Sequence, residues 1–138
     1  MYSRLRVWLV AKHATLLRFL IVGVLNAAVG LGGIAMAQFL FGWSYVVANA
    51  FGYCLGLINS FFWNKFWTFD SKNWQGRELV KFMIVFAISY AVQLGAVTLL
   101  VDAANAPVFL SQIMGIGSYT AVNYALNKYW TFRHAGRE

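Results

Sequence analysis

The chain has 138 residues, of which 61% are hydrophobic and 11% charged, with a net charge of +7. A soluble domain this small must clothe its surface in polar groups and normally has about a quarter of its residues charged, so a water-soluble globule is excluded. The apolar excess calls for a bilayer, and the basic excess, gathered at helix ends, points to anionic headgroups or lipid phosphates rather than nucleic acid.

Four segments meet the requirement of about 20 mostly apolar residues for a membrane span. They are Leu16 to Phe41, Ser44 to Trp63, Leu79 to Val101 and Val108 to Leu126. The first follows a basic N-terminal stretch, as a signal peptide would, but its apolar run from Phe19 to Phe41 is too long for one and reads as a retained helix. Gly42-Trp43 makes a tight turn between the first two spans, and Asp102 to Pro107 makes another between the last two. The middle connection, Asn64 to Arg77, is longer and polar, with Gly76 marking a turn. The expected architecture is all-α: a single polytopic membrane domain over residues 1–138, with four transmembrane helices.

All eleven Lys and Arg fall on one side of this arrangement. Arg4, Arg6, Lys12 and Arg18 precede the first helix; Lys65, Lys72, Arg77 and Lys81 flank the middle loop; Lys128, Arg133 and Arg137 follow the fourth helix. Asp70, Glu78 and Glu138 share that side, so eleven cations less three acids leave it at +8, against −1 from Asp102 opposite. The positive-inside rule places both termini and the middle loop in the cytoplasm, in a cell inner (plasma) membrane protein. Trp43 and Tyr45 would anchor the outer interface, and Trp63, Trp67 and Trp130 the inner one.

The sequence Asn64-Lys65-Phe66-Trp67-Thr68-Phe69 returns as Asn127-Lys128-Tyr129-Trp130-Thr131-Phe132, an offset of 63. The same offset carries Arg18-Phe19 onto Lys81-Phe82, Ile21-Val22 onto Ile84-Val85 and Gly52 onto Gly115; 13 of 52 gapless pairs are identical. Two hairpin repeats, about 18–69 and 81–132, are therefore expected in parallel orientation, related by a pseudo-twofold along the membrane normal.

Steps of four trace one stripe of a helix. Ala48, Gly52, Gly56, Ser60 and Asn64 form such a stripe, matched by Ser111, Gly115, Tyr119, Asn123 and Asn127. The first helix offers Gly23, Asn26, Ala27, Gly30 and Gly33, the third Ser89, Gln93 and Ala96, and these faces are expected to converge. Small residues such as Ala48, Gly52 and Gly115 read as close helix packing. The amides Asn26, Asn59, Asn123, Gln38, Gln93 and Gln112 suit either helix glue or a polar pathway, with Asn26 and Asn123 the preferred functional pair.

Lys65 and Lys128, at C-terminal helix ends, can satisfy carbonyls and anchor topology. Arg18 and Lys81 are expected at helix N-termini, where free amides and the positive dipole end favour an anion. Together with Asn64 and Asn127 they suggest a phosphate site at the inner leaflet. No nucleotide loop, activated nucleophile or metal-ligand cluster is present; Cys54 reads as packing, and His13 and His134 lie near the termini. The pattern is not that of an enzyme, and it implies neither cofactor nor metal.

Arg18-Phe19 with Val22-Gly23, and the aromatic-basic hexapeptide that closes each hairpin, resemble those of the GtrA-like family, over about residues 16–133. The resemblance implies a flippase (translocase) that moves a polyprenyl-phosphate-linked sugar, such as one on undecaprenyl phosphate, to the outer leaflet for cell-surface polysaccharide or O-antigen biosynthesis. It also implies a membrane glycosyltransferase partner, and related helices accompany dolichol-phosphate-mannose-synthase-like domains. On this reading Arg18, Lys65, Lys81 and Lys128 hold phosphate, and Asn26, Asn64, Asn123 and Asn127 meet phosphate or sugar hydroxyls. The alternative is a non-catalytic scaffold that recruits the glycosyltransferase through the basic face. A small multidrug-type exporter ranks lower, because the first helix lacks an embedded glutamate. Four short helices enclose little, so a homo-oligomer is expected.

Overall fold

Hydropathy locates where a helix can enter lipid, whereas helix formation itself continues until something stops it. In the computed structural model, which describes residues 2–73 and 75–134, helix α1 runs Tyr2–Phe39, α2 Tyr45–Trp63, α3 Gly76–Thr98 and α4 Val108–Leu126. Arg137 and Glu138, which enter the charge count, lie outside the described residues. The helix α1 begins 14 residues before the apolar run at Leu16, because Tyr2 to Thr15 contains neither Gly nor Pro to break it. Its 38 residues make a rod of about 57 Å, well over the roughly 30 Å of a hydrocarbon core.

The turn after α1 is closed by Trp43 N–H donating to the Ala37 carbonyl at 3.0 Å, with Gly42 at φ 66°. An L side chain rarely takes that conformation, and glycine takes it without strain. Ser44 caps α2, its Oγ accepting from Val47 N–H. The helix α3 opens with Glu78 in its first turn, favourable to the dipole, and passes beyond Thr98 into a π-helical turn, Leu99–Ala103. Asn105 takes the left-handed conformation at φ 52° before Pro107 starts α4.

Among the described residues three helical stretches are long and apolar enough to cross a membrane: Arg6–Phe39, Val46–Thr68 and Gly76–Ala103. Only 17%, 17% and 11% of their most apolar windows are buried, so large side chains such as Leu31, Tyr53 and Leu94 face outward and need lipid around them. The helix α4 equals α2 in length at 19 residues, but Ser111, Gln112, Tyr119, Thr120 and Asn123 dilute its apolar character.

The chain divides into two compact units, Met1–Lys72 and Asn73–Glu138. In the first, α1 packs along α2; in the second, α3 packs along α4. Within the first unit the helices meet at glycine: a Cβ on Gly52 would stand 2.5 Å from the Gly30 carbonyl oxygen and overlap Ile34, and one on Gly33 would stand 2.7 Å from Leu55 Cδ1. The expected α1 face is narrower than its spacing suggests, since Gly23 has open space around it and Ala27 is exposed. In the second unit Gly115 lies against Gln93 and Val97, the positions 63 beyond Gly30 and Ile34. Cys54 and Gln112 are exposed rather than packed inside.

Candidate functional site

Neither α2 nor α4 ends in an ordinary cap. Each widens into a π-helical turn over the repeated motif, Asn64–Thr68 and Asn127–Thr131, closed by Phe69 N–H to the Asn64 carbonyl and Phe132 N–H to the Asn127 carbonyl, both at 2.9 Å. Such turns are rare and concentrate at functional sites. The eight candidate residues fall around them in two groups: Arg18, Asn26, Asn64 and Lys65 in the first unit, Lys81, Asn123, Asn127 and Lys128 in the second.

In the first unit Lys65 is wholly buried and its Nζ donates to Ser71 Oγ at 3.1 Å, with the Phe66 ring 5.5 Å away. Arg18 reaches the same π turn from α1: Nη1 donates to the Trp67 carbonyl at 3.2 Å and the guanidinium lies 5.7 Å from the Trp67 ring centroid. Phe19 meets Phe69 beside it, ring centroids 6.3 Å apart. Asn64 Nδ2 donates to Ser60 Oγ at 3.1 Å. Deeper in the hairpin Asn59 Nδ2 donates to Asn26 Oδ1 at 2.7 Å, and Trp63 Nε1 donates to Asn59 Oδ1 at 3.1 Å. Asn26 is thus joined to Asn59 rather than to Asn64.

In the second unit Lys81 places Nζ 5.5 Å from the Trp130 ring centroid, the counterpart of Arg18 on Trp67. Asn127 Nδ2 donates to Asn123 Oδ1 at 2.9 Å, and Asn123 Nδ2 donates to the Tyr119 hydroxyl at 3.4 Å, a ladder on one face of α4. Lys128 Nζ donates to the Tyr124 hydroxyl at 3.3 Å and lies 5.4 Å and 5.5 Å from the Tyr124 and Tyr129 rings.

Two expectations about the cations change. Arg18 lies in the middle of α1 and Lys81 a full turn inside α3, so neither stands at a helix N-terminus. Backbone amides at those depths are engaged within the helix, and an anion there would be held by side chains and aromatic faces instead. The basic residue of α3's first turn is Arg77.

Sequence reasoning also passed over several partners. Ser71 holds Lys65, Trp67 and Trp130 carry Arg18 and Lys81, and Tyr119 and Tyr124 extend the second set. The tryptophans were readable from the repeated hexapeptide, as were Thr68 and Thr131, both buried. Ser71 was not, because it pairs across a turn whose path no periodicity reveals. Glu78 is a buried carboxylate in the first turn of α3.

The chain is 28% identical over 122 residues, 88% of its own length and 81% of the relative's, to the uncharacterized membrane protein YngA of Bacillus subtilis (strain 168). A family model described as GtrA/DPMS, transmembrane domain, matches residues 18–132, from Arg18 to the last aromatic of the second motif, and the chain belongs to that family.

Proposed function

We propose that the protein is a flippase, carrying a polyprenyl-phosphate-linked sugar from the cytoplasmic to the outer leaflet for cell-surface polysaccharide assembly, with no chemical step of its own. The observation that carries this reading is the placing, in each hairpin, of a cation on a tryptophan (Arg18 on Trp67, Lys81 on Trp130) beside a second cation, Lys65 or Lys128, and buried amides. Cations suit a lipid phosphate at the inner interface, and amides continuing toward the bilayer suit a polar head group passing through. Four spans, α4 included, are expected on this reading, and the polyprenyl tail stays in lipid. Both termini lie in the cytoplasm on this reading. With no ATPase in these residues, net movement follows consumption of the donor on the outer face.

The test is leaflet equilibration of a labelled polyprenyl-phosphate hexose in proteoliposomes. Wild-type protein should speed it at least tenfold over protein-free vesicles, and the variant Asn26→Leu/Asn123→Leu should abolish the gain. Equal rates with and without protein remove the proposal.

A second reading is favoured by a different observation. The first 14 residues of α1 continue the helix beyond the apolar run, and Val7, Trp8 and Val10 on it are 60–70% exposed beside Arg4, Arg6 and Lys12. That segment suits recruitment of a glycosyltransferase or a second copy of the chain. Deleting residues 2–14 should then release the partner in a pull-down while leaving leaflet equilibration intact.

A further inference from the structure

The two motif π turns leave polar atoms enclosed without a hydrogen-bond partner among the described residues: Asn64 Oδ1 and Thr68 Oγ1 in the first, Asn127 Oδ1 and Thr131 Oγ1 in the second. All four residues are at least 96% buried. Buried polar side chains nearly always find partners, and a group that lacks one calls for an explanation. Here the exceptions recur on matched residues of two separate units, in a rare helical form, with Asn and Thr four apart and so on neighbouring helix positions.

We propose that Thr68 with Asn64, and Thr131 with Asn127, are two seats for hydroxyl groups of the transported head group, distinct from the cations that hold its phosphate; this rests on the flippase reading above. Hydrogen-bond chemistry selects the hydroxyl. An amide oxygen only accepts, whereas a threonine hydroxyl both donates and accepts. A phosphate presents acceptors alone and would oppose Asn64 Oδ1 and Asn127 Oδ1. A small cation is opposed by Lys65 and Lys128, the next residue in each turn. An alcohol donates to the amide oxygen and exchanges either bond with the threonine. If the Asn64 amide turns over, Ser60 donates to its oxygen and the free atom becomes Nδ2. An alcohol satisfies that arrangement as well. The same reversal is open to Asn127 and Asn123, with the Tyr119 hydroxyl as donor at the far end. In this structure the seats are closed.

The test compares two lipids, a short polyprenyl phosphate carrying one hexose and the same lipid without it, bound to the full chain in nanodiscs and quantified by native mass spectrometry. Wild-type protein should bind the hexosyl lipid at least tenfold more tightly. Thr68→Val/Thr131→Val should bring the two affinities within twofold while affinity for the bare phosphate stays unchanged, and Thr68→Ser/Thr131→Ser should restore the preference. Equal binding of both lipids by wild-type protein overturns the seats, as does a valine variant that melts higher but keeps the preference, the signature of hydroxyls that only pack or hold water. A wild-type preference together with no leaflet transport removes the flippase reading and leaves the seats standing.

Discussion

In the first hairpin Lys65 is enclosed and bound to Ser71, and Arg18 both hydrogen-bonds and overlies Trp67. In the second, Lys128 keeps part of its side chain open and leans on two tyrosines, while Lys81 lies against the Trp130 ring. The helices differ in the same sense. A Cβ on Gly52 would stand 2.5 Å from the Gly30 carbonyl oxygen as well as against the Ile34 side chain, whereas one on Gly115 would press mainly on the Val97 and Gln93 side chains, with the Gln93 carbonyl oxygen at 3.4 Å. Where the first hairpin pairs Asn26 with Asn59 across helices, the second has Ser89 and Val122 at the matching positions, and the Ser89 hydroxyl has no partner among the described residues. One motif is thus held rigidly in one copy and by adaptable side chains in the other. The basic end recurs in both units, and the support around it differs.

The largest test of this contrast is at the glycines. Gly52→Ala should destabilise the protein by about 3 kcal/mol because the Gly30 backbone cannot yield, and Gly115→Ala by about 2 kcal/mol because it displaces chiefly side chains, Val97 being β-branched and stiff in a helix. Thermal unfolding in detergent followed by tryptophan fluorescence reads both, and a reversed order breaks the comparison. Next come the motif lysines. Lys65→Ala should cost about 2 kcal/mol through a cavity and a lost partner for Ser71, and Lys128→Ala less than about 1 kcal/mol. Equal shifts in denaturant midpoint would mean that enclosure of Lys65 adds nothing.

Smaller, but opposite in sign, are the changes at Asn26 and Ser89. Asn26→Leu leaves the Asn59 amide without its acceptor and should cost about 1 kcal/mol. Ser89→Ala removes a buried hydroxyl that has no partner and should be neutral or slightly stabilising, by up to about 1 kcal/mol. Differential scanning fluorimetry of the pair separates them. Smallest is Arg18→Lys, which keeps the cation over Trp67 but loses the bond to its carbonyl. A loss of about 0.5 kcal/mol is expected at this exposed position, and Lys81→Arg should show none.

Much of the fold was legible because a bilayer imposes long apolar runs, and α2 and α4 begin and end within one residue of where hydropathy puts them. The start of α1 was not, since polar residues before Leu16 form helix as readily as apolar ones. That longer helix removed the N-terminal placing of Arg18. The 63-residue offset puts Asn64 and Lys65 in register with Asn127 and Lys128, and all four fall in the motif π turns. It was silent on what each of them touches.

Composition, hydropathy and the repeated hexapeptide determined by themselves that this is an all-α membrane protein and which residues recur at the ends of its hairpins. Only the tertiary structure decided that Lys65 is buried and Lys128 is not, that Asn26 pairs with Asn59, and that two π turns enclose unpartnered amide and hydroxyl atoms. The reason is physical. Periodicity records which stripe of a helix a residue lies on, but hydrogen bonds depend on the rotation and height at which a second helix presents its own stripe, and those follow from packing at Gly30, Gly52 and Gly115.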